Sequence, residues 1–349
     1  MKLTYKEPAK KTKETMAKIA KNPEIANEND YDKEVNSKIL SKTKHIDCKL
    51  VNSGNAAIMV SMNAIEGPIL IPDQGAWHGF KQIAKFLNKK IIPIKTELGI
   101  INEEVLNNFS KENPSVLKNN QENNKNNKDN KDNNYEKDNN NYNLALFLTS
   151  FAGYSAEQPI KEIANWCKEN NIVLVEDASG GICDPKQKLA NGKYSDIILA
   201  STSSPKVINV GDGGFITTNK KEIFEKSNIL LKIAKSNIIT KCGILTELDF
   251  AENNLKKTLE ATEYIKNNID NVIHQDKRGT NVIIKSNDNH SLANSLKDEF
   301  DLGGKSIITK CPNYNRLKIK GVAIEIKNID TKSLTKENLD EIIDIINKH

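Results

Sequence analysis

Short, almost uninterrupted apolar segments alternate with helical patterns along the first two thirds of the sequence. The segments lie at 48–52, 69–72, 91–94, 144–148, 172–175, 197–200 and 214–218. Strands that are covered on both faces need such continuous apolar runs, whereas a solvated face produces alternation. Alternation of strands with helices is typical of a parallel sheet between helix layers. The sequence therefore predicts an α/β fold with a mainly parallel central sheet.

The pattern divides the chain into three regions. Residues 1–45 have helical periodicity, residues 46–220 carry the sheet pattern, and residues 221–349 read as a connecting helix and a small α+β domain. One segment interrupts the second region: 13 of the 25 residues at 119–143 are Asn. Such a composition buries little apolar surface, so we predict a disordered insertion at 117–143.

Composition and charge argue against several classes of protein. Lys and Arg number 51 against 46 Asp and Glu, a net charge of +5, which is too small to indicate nucleic-acid binding. No apolar run approaches the roughly 18 residues of a membrane span, and the first residues lack the apolar core of a signal peptide. The five Cys and five His show no metal-ligand spacing. We expect a cytoplasmic protein without a bound metal.

Three polar motifs follow strands of the predicted sheet. Ser53-Gly54-Asn55-Ala56-Ala57 stands at a strand-to-helix junction, where backbone amides can bind a phosphate. Asp177 ends an apolar strand, and Lys206 follows a run of hydroxyl residues that begins at Ser201. Pyridoxal phosphate needs such a set: a phosphate cup, an acid for its pyridine nitrogen and a lysine for a Schiff base.

The motifs resemble fold-type I pyridoxal-phosphate enzymes, and among them the DegT/StrS-type sugar aminotransferases. Most specific is Ser201, five positions before Lys206, followed by the turn Gly211-Asp212-Gly213-Gly214. Gly153 also stands where that family has a glycine. The resemblance extends over roughly residues 35–265. It implies the fold-type I architecture, pyridoxal 5′-phosphate as cofactor and a homodimer with the active site at its interface.

The resemblance also implies a role for each matching residue. Lys206 would carry the cofactor as a Schiff base, and Asp177 would pair with its pyridine nitrogen. Amides of Gly54, Asn55 and Ala56 and the hydroxyl of Ser201 would hold its phosphate. An aromatic ring would stack on the cofactor, and the candidates are Trp77 and His78.

Some positions differ from the family pattern. Gly180 stands where the family has Gln or His, Asn55 where it has Thr, and the Asn and basic residue expected before 246–248 are missing. Arg278 and Arg316 are the only arginines, and either could bind a substrate carboxylate or form a surface ion pair.

The resulting hypothesis is an aminotransferase that moves an amino group from a glutamate-like donor to a keto acceptor, with a keto-sugar as the candidate acceptor. Two alternatives stay open: a lyase or desulfurase that uses the same cofactor, and a cofactor-binding regulator without turnover. We expect small-molecule substrates and neither a nucleic acid nor a membrane as partner.

Overall fold

The predicted α/β architecture is confirmed by a computed structural model, which describes residues 1–25, 28–120, 143–313 and 315–349. A seven-stranded sheet forms the centre of the molecule, in the order β1-β9-β8-β7-β4-β2-β3. Its strands are β1 (Asp47–Val51), β2 (Ile69–Pro72), β3 (Ile91–Ile94), β4 (Ala145–Thr149), β7 (Val173–Asp177), β8 (Ile197–Ser201) and β9 (Gly214–Thr218).

The sheet is mainly parallel. Strands β8, β7, β4, β2 and β3 run in one direction, and β9 pairs antiparallel with both β8 and β1. Residues of β4, β7 and β9 are buried almost throughout, as expected for strands that helices cover on both faces. Between β4 and β7 lies a short hairpin of β5 (Phe151–Ala152) and β6 (Ala156–Glu157).

Helices pack on both faces of this sheet. The first part of the chain forms α1 (Lys10–Lys21), α2 (Glu28–Thr43), α3 (Gly54–Asn63), α4 (Gly79–Phe86) and α5 (Glu103–Glu112). The later helices are α6 (Ile160–Glu169), α7 (Glu222–Lys226), α8 (Asn228–Ile233), α9 (Ile238–Asn267), α10 (Asn289–Glu299) and α11 (Lys336–Lys348). Two large apolar clusters, one on each face, form the core.

A second sheet lies in the C-terminal part. It consists of β10 (Val282–Lys285), β11 (Ile308–Cys311) and β12 (Gly321–Ile324), all antiparallel, in the order β10-β12-β11. Helices α10 and α11 and one end of α9 complete its apolar core. Helix α9 begins at Ile238, where the Asn237 side chain caps it by accepting from the Thr240 amide.

The first nine residues differ from the helical prediction for 1–45. Helix α1 begins only at Lys10, and the preceding residues run in extended form along the C-terminal part. Lys2 and Tyr5 form β-bridges with Asp301 and Ile329. Pairing with these distant segments gives backbone groups of residues 1–9 hydrogen-bond partners. An isolated helix of nine residues would be only marginally stable.

The Asn-rich insertion lies largely outside the described residues, which end at 120 and resume at 143. At its start, residues 114–120 are helical, and Asn120 is buried with its side-chain amide donating to the carbonyl oxygens of Asn170 and Asn171. Ordered structure thus extends slightly beyond 117. In the described part of the chain, no helix is long and apolar enough to cross a membrane.

Candidate active site

The carboxyl ends of β7 and β8 bring the predicted catalytic residues together. Asp177 is the last residue of β7, and Ser201 is the last residue of its parallel neighbour β8, with Lys206 in the loop that follows. Ligands of open α/β sheets bind at this edge because the loops after the strands meet there. The sheet topology therefore gathers residues that are 24 to 29 positions apart in the sequence.

Asp177 is a buried carboxylate with few partners. Its Oδ1 accepts hydrogen bonds from the Ser179 amide (3.0 Å) and the Ser179 hydroxyl (2.5 Å). Burial raises the pKa of this carboxyl, although the Ser179 bonds and the Lys206 charge oppose the rise. Its ionised form therefore gains from a positively charged partner, which a protonated pyridine nitrogen would supply.

The neighbouring Glu176 has a different role. Its carboxylate is fully buried and accepts hydrogen bonds from the hydroxyls of Ser150 and Ser195 and from the Ala190 amide. These donors hold both carboxylate oxygens within the core. Successive strand residues point to opposite faces, which separates the two acids.

Lys206 lies between two aromatic rings. Its Nζ donates to the Tyr154 hydroxyl at 3.3 Å and lies 6.0 Å from the Trp77 ring centroid. Burial alone would lower the pKa of Lys206, but Tyr154 and Asp177 outweigh it, and the pKa is raised. The ammonium form is thus favoured until a reaction partner takes the proton.

Tyr154 is the residue that the sequence analysis missed. It has a positive φ of 63°, unusual for a non-glycine residue, and its backbone carbonyl accepts from the amides of Thr280 and Asn281 in the C-terminal part. Such strain persists only where the surrounding structure fixes it. The sequence signal that could have indicated Tyr154 was its position next to Gly153, the glycine that matches the family pattern.

Tyr154 also covers the position where the family pattern has Gln or His. A Cβ added to Gly180 would lie 3.3 Å from Tyr154 Cε1. The tyrosine ring therefore occupies the space next to Gly180 and brings a hydroxyl close to Lys206 instead of a side chain from position 180.

The proposed phosphate cradle is a close approach of two chain segments. A Cβ on Gly54 would lie only 2.5 Å from Ser201 Cβ, so glycine is required for this approach. The first-turn amides of α3 have no acceptor within their own helix, which makes them available to an anion. Ala56 is the exception, because its amide donates to Ser53 Oγ at 3.1 Å. On the other side of the cradle, Ser201 Oγ lies 2.8 Å from Ser203 Oγ.

The structure separates the two candidates for the stacking ring. Trp77 Nε1 donates to Asn55 Oδ1 at 3.1 Å, which fixes the indole beside the cradle and near Lys206. His78 instead contacts Asn315, whose Oδ1 lies 2.8 Å from His78 Nδ1. Its ring is therefore held against the loop between β11 and β12. Trp77 is the better placed of the two.

Residues of the C-terminal part form the outer wall of the site. Arg316 pairs with Glu325, and Lys327 Nζ donates to the other oxygen of Glu325 at 2.6 Å. The Arg316 Cζ and the Lys327 Nζ each lie 4.9 Å from the Tyr154 ring centroid. Burial opposes ionisation of Glu325, but Lys327 and Arg316 hold its pKa well below the usual range.

The other arginine lies away from this wall. Arg278 pairs with Glu157 and bonds both oxygens of Asp184, at 2.8 and 3.1 Å. Each of its three guanidinium nitrogens thus donates to a carboxylate. Of the two arginines that the sequence left open, Arg316 is the one beside Lys206.

The histidines and cysteines of the described residues have structural partners or are buried. His45 contacts Thr217 Oγ1 and the Ser195 carbonyl, and burial lowers its pKa. Burial raises the pKa of Cys183 to about 12. Among the described residues no group of three His, Cys, Asp or Glu side chains is placed to hold a metal ion.

Two family models match different parts of the chain. Residues 136–243 match the DegT/DnrJ/EryC1/StrS aminotransferase family, and residues 252–347 match the MJ1341 family C-terminal domain. The first match contains Asp177, Ser201 and Lys206. The second contains the outer wall with Arg316, Glu325 and Lys327.

A curated relative is the UDP-4-amino-4,6-dideoxy-N-acetyl-beta-L-altrosamine transaminase of Campylobacter jejuni. It is 31% identical over 97 residues, which are 28% of this chain and 24% of the relative. The matched segment therefore spans about a quarter of that protein.

Solved structures resemble the whole chain. A DegT/DnrJ/EryC1/StrS aminotransferase from Brucella abortus has a TM-score of 0.68 at 11% identity and covers 97% of this chain and 94% of its own. NtdA from Bacillus subtilis, solved with the cofactor PMP, has a TM-score of 0.65 at 13% identity and covers 98% and 82%. These likenesses establish the fold. The resemblance predicted from the sequence is thereby confirmed: the chain has the fold-type I architecture and carries, over residues 136–243, the sequence match to the DegT/DnrJ/EryC1/StrS aminotransferase family.

Proposed function

We propose that this chain is a pyridoxal-phosphate-dependent aminotransferase that moves an amino group from an amino-acid donor to a keto acceptor. The observation that carries the proposal is the convergence of Lys206, Asp177 and the Gly54–Ser201 cradle at one edge of the sheet. The family match and the transaminase relative support the reaction class.

The residues fit the cofactor on structural grounds. Gly54 lets the start of α3 approach Ser201, because a Cβ there would lie 2.5 Å from Ser201 Cβ, and Asp177 is a buried acid that lacks a cationic hydrogen-bond partner in the described part of the chain. When bound, pyridoxal phosphate supplies an electron sink for the carbanion at the substrate α-carbon.

The chain's own residues would then perform three tasks. Asp177 would hold a proton on the pyridine nitrogen, because its buried carboxylate needs a positive neighbour. Lys206 would move a proton at the substrate α-carbon as a general acid and base. Tyr154, 3.3 Å from Lys206 Nζ, would orient that amine and favour its protonated form.

The identity of the acceptor rests on the relatives of the chain. A keto-sugar agrees with the Campylobacter relative, whose match covers 28% of this chain. The outer wall of the site matches a different family. We also propose a homodimer and a cytoplasmic location, which the resemblance to fold-type I enzymes favours.

The test is the absorption spectrum of the purified protein, incubated with pyridoxal phosphate and then freed of unbound cofactor, before and after glutamate. We expect a visible-to-near-ultraviolet cofactor band that Lys206→Ala abolishes and that glutamate converts to the pyridoxamine spectrum. Lys232→Ala, which changes an exposed lysine on α8, is the matched control and should keep the band.

Two results would overturn the proposal. A protein without a cofactor band would not be a pyridoxal-phosphate enzyme. A band that no amino-acid donor converts to the pyridoxamine form would leave the lyase or the regulator as the function.

A further inference from the structure

Three glycines from three loops form a socket at the sheet edge where the candidate active site lies. Gly75 follows β2, Gly99 follows β3, and Gly153 lies in the hairpin that follows β4. All three have a positive φ, of 74°, 83° and 56°, which residues with a side chain rarely adopt. The loops touch, because the Gly153 amide donates to the Gly75 carbonyl at 2.7 Å and a Cβ on Gly75 would lie 3.3 Å from the Gly99 Cα.

Leu317, in the loop between β11 and β12, fills this glycine socket. Its side chain is fully buried. A Cβ on Gly75, Gly99 or Gly153 would lie 3.3, 3.0 or 3.2 Å from Leu317 Cδ2, so a methyl group at any of the three positions would crowd the leucine. The C-terminal part is therefore seated on the large sheet through an apolar side chain that enters a socket without side chains of its own.

Two residues before Leu317, Asn315 connects the same loop to the aromatic pair beside the cradle. Asn315 Oδ1 accepts from the His78 amide at 3.0 Å, and the His78 ring centroid lies 4.6 Å from that of Trp77. Trp77 in turn donates to Asn55 Oδ1 at 3.1 Å. A displacement of Leu317 would thus be transmitted to Trp77 through His78.

The residue directly before Leu317 covers the other ring beside Lys206. Arg316 Cζ lies 4.9 Å from the Tyr154 ring centroid, and the Tyr154 hydroxyl is the hydrogen-bond partner of Lys206 Nζ. The two loops run close together here, because a Cβ on Gly153 would lie 3.7 Å from Arg316 Cα. The position of Leu317 therefore sets the position of the cation above the ring that contacts the lysine.

We propose that Leu317 is a positioning residue of the active site: seated in the glycine socket, it fixes Asn315 and Arg316 against the aromatic residues around Lys206. Hydrogen bonds near the surface compete with water, whereas burial of a leucine side chain does not, so the apolar anchor decides where the loop lies. The inference rests on the proposed function, because the fixed wall belongs to that same site. It also gives a reason for the three glycines, since side chains there would displace the wall.

The first test measures acrylamide quenching of Trp77 fluorescence in the cofactor-free, full-length protein. Trp166→Phe, present in every sample, removes the other of the two tryptophans. Leu317→Ala should increase the quenching and shift the emission to longer wavelength, because the indole loses a fixed neighbour. Leu317→Met conserves the volume and should recover most of the original signal. Leu296→Ala is the matched control, because it makes the same change at a fully buried leucine of α10, in a different apolar cluster.

The second test measures kcat/KM for glutamate in the protein loaded with pyridoxal phosphate. Leu317→Ala should lower kcat/KM about tenfold to hundredfold, as a displacement of about 1 Å at a site can do. Leu317→Val removes less of the side chain and should give a smaller loss, and it replaces the alanine variant in both tests if that variant does not fold. Leu296→Ala should leave kcat/KM close to the wild-type value.

The two tests distinguish the inference from the proposed function. Unchanged Trp77 quenching in Leu317→Ala would overturn the inference, and so would an equal response to Leu296→Ala, because it would indicate a general loss of stability. A Trp77 response without a change in kcat/KM would make Leu317 a structural residue and overturn its positioning role. The expected quenching in a protein that never forms the cofactor band would support the seating of the wall by Leu317 while the aminotransferase fails.

Discussion

Two lysines, the buried Lys266 and the half-buried Lys206, show opposite ways of using an ammonium group where the C-terminal part meets the large sheet. Lys266 Nζ donates to three backbone carbonyls, those of Ser155, His274 and Lys277, at 2.7 to 2.8 Å. Lys206 Nζ has the Tyr154 hydroxyl as its hydrogen-bond partner and lines a cavity. The first lysine has all its donors satisfied, while the second keeps capacity for a ligand.

The difference assigns a structural role to Lys266 and a functional role to Lys206. Three carbonyls fill the three donor positions of the Lys266 ammonium, so that group can bind nothing else. It joins the loop at Ser155 to the segment 274–277 and so fixes the C-terminal part against the sheet. The Lys206 ammonium has hydrogen-bonding capacity left for substrate and cofactor.

The largest expected effect is on the catalytic rate, through the site around Lys206. Asp177→Asn should lower kcat by about 10²- to 10⁴-fold, because an amide does not hold the cofactor's ring proton as a carboxylate does. Steady-state kinetics with glutamate as donor measure the loss. Ser179→Ala keeps the amide bond to Asp177 Oδ1 and removes the hydroxyl, which donates to that oxygen and accepts from the Ser201 amide, so its effect should be much smaller. Equal losses in both variants would argue that Asp177 is merely structural.

The largest effect on stability is expected at Lys266. Lys266→Met removes three hydrogen bonds from an ammonium to backbone carbonyls, of which the His274 carbonyl keeps the Lys277 amide as a donor, and should reduce the free energy of unfolding by roughly 3–5 kcal/mol. Chemical denaturation measures it, with exposed Lys257→Met on the same helix as the control. If Lys206→Met proved more destabilising than Lys266→Met, the contrast between the two lysines would not hold.

A smaller effect is expected at the cradle. Gly54→Ala places a Cβ 2.5 Å from Ser201 Cβ and should cost about 1–3 kcal/mol of stability through overpacking, together with weaker cofactor binding. Thermal unfolding of the cofactor-free protein measures the loss of stability that the steric clash causes, without any contribution from cofactor binding. Adding Ser201→Gly removes the opposing Cβ and should restore much of that stability, whereas no restoration would place the strain elsewhere.

The smallest expected effect is on the pH dependence of the stability of the folded chain. The pKa of Lys327 is lowered from 10.5 to about 7 in the folded chain, so the unfolded state binds more protons between these values. Its contribution to stability therefore increases as the pH rises from about 7 to 10. Lys327→Met should remove this contribution and flatten the stability profile over that range relative to the wild type. An unchanged profile would mean that Lys327 remains charged in the folded chain.

Most of the architecture of residues 46–220 could be predicted from the local sequence. The apolar runs at 69–72, 91–94 and 197–200 became β2, β3 and β8 within a residue, because buried parallel strands need continuous apolar side chains. Asp177 and Lys206 were found for a similar reason. They directly follow strands, and the ends of parallel strands meet at one edge of the sheet.

The sequence pattern was less informative about the ends of the chain and about one choice between neighbours. Residues 1–9 pair with distant segments, which helical periodicity cannot reveal. The choice between Trp77 and His78 depended on contacts with Asn55 and Asn315, which are 22 and 237 residues away along the chain from the side chains they bind.

The sequence by itself determined the sheet, the cofactor motifs and the identities of the catalytic candidates, because those signals lie within a strand and the loop after it. The tertiary structure alone decided which other groups surround Lys206. Tyr154, Lys6 and Lys327 belong to three separate parts of the chain, and no spacing in the sequence relates them. Their convergence depends on the packing of the C-terminal sheet and the N-terminal segment against the large sheet, and long-range packing has no local sequence signature.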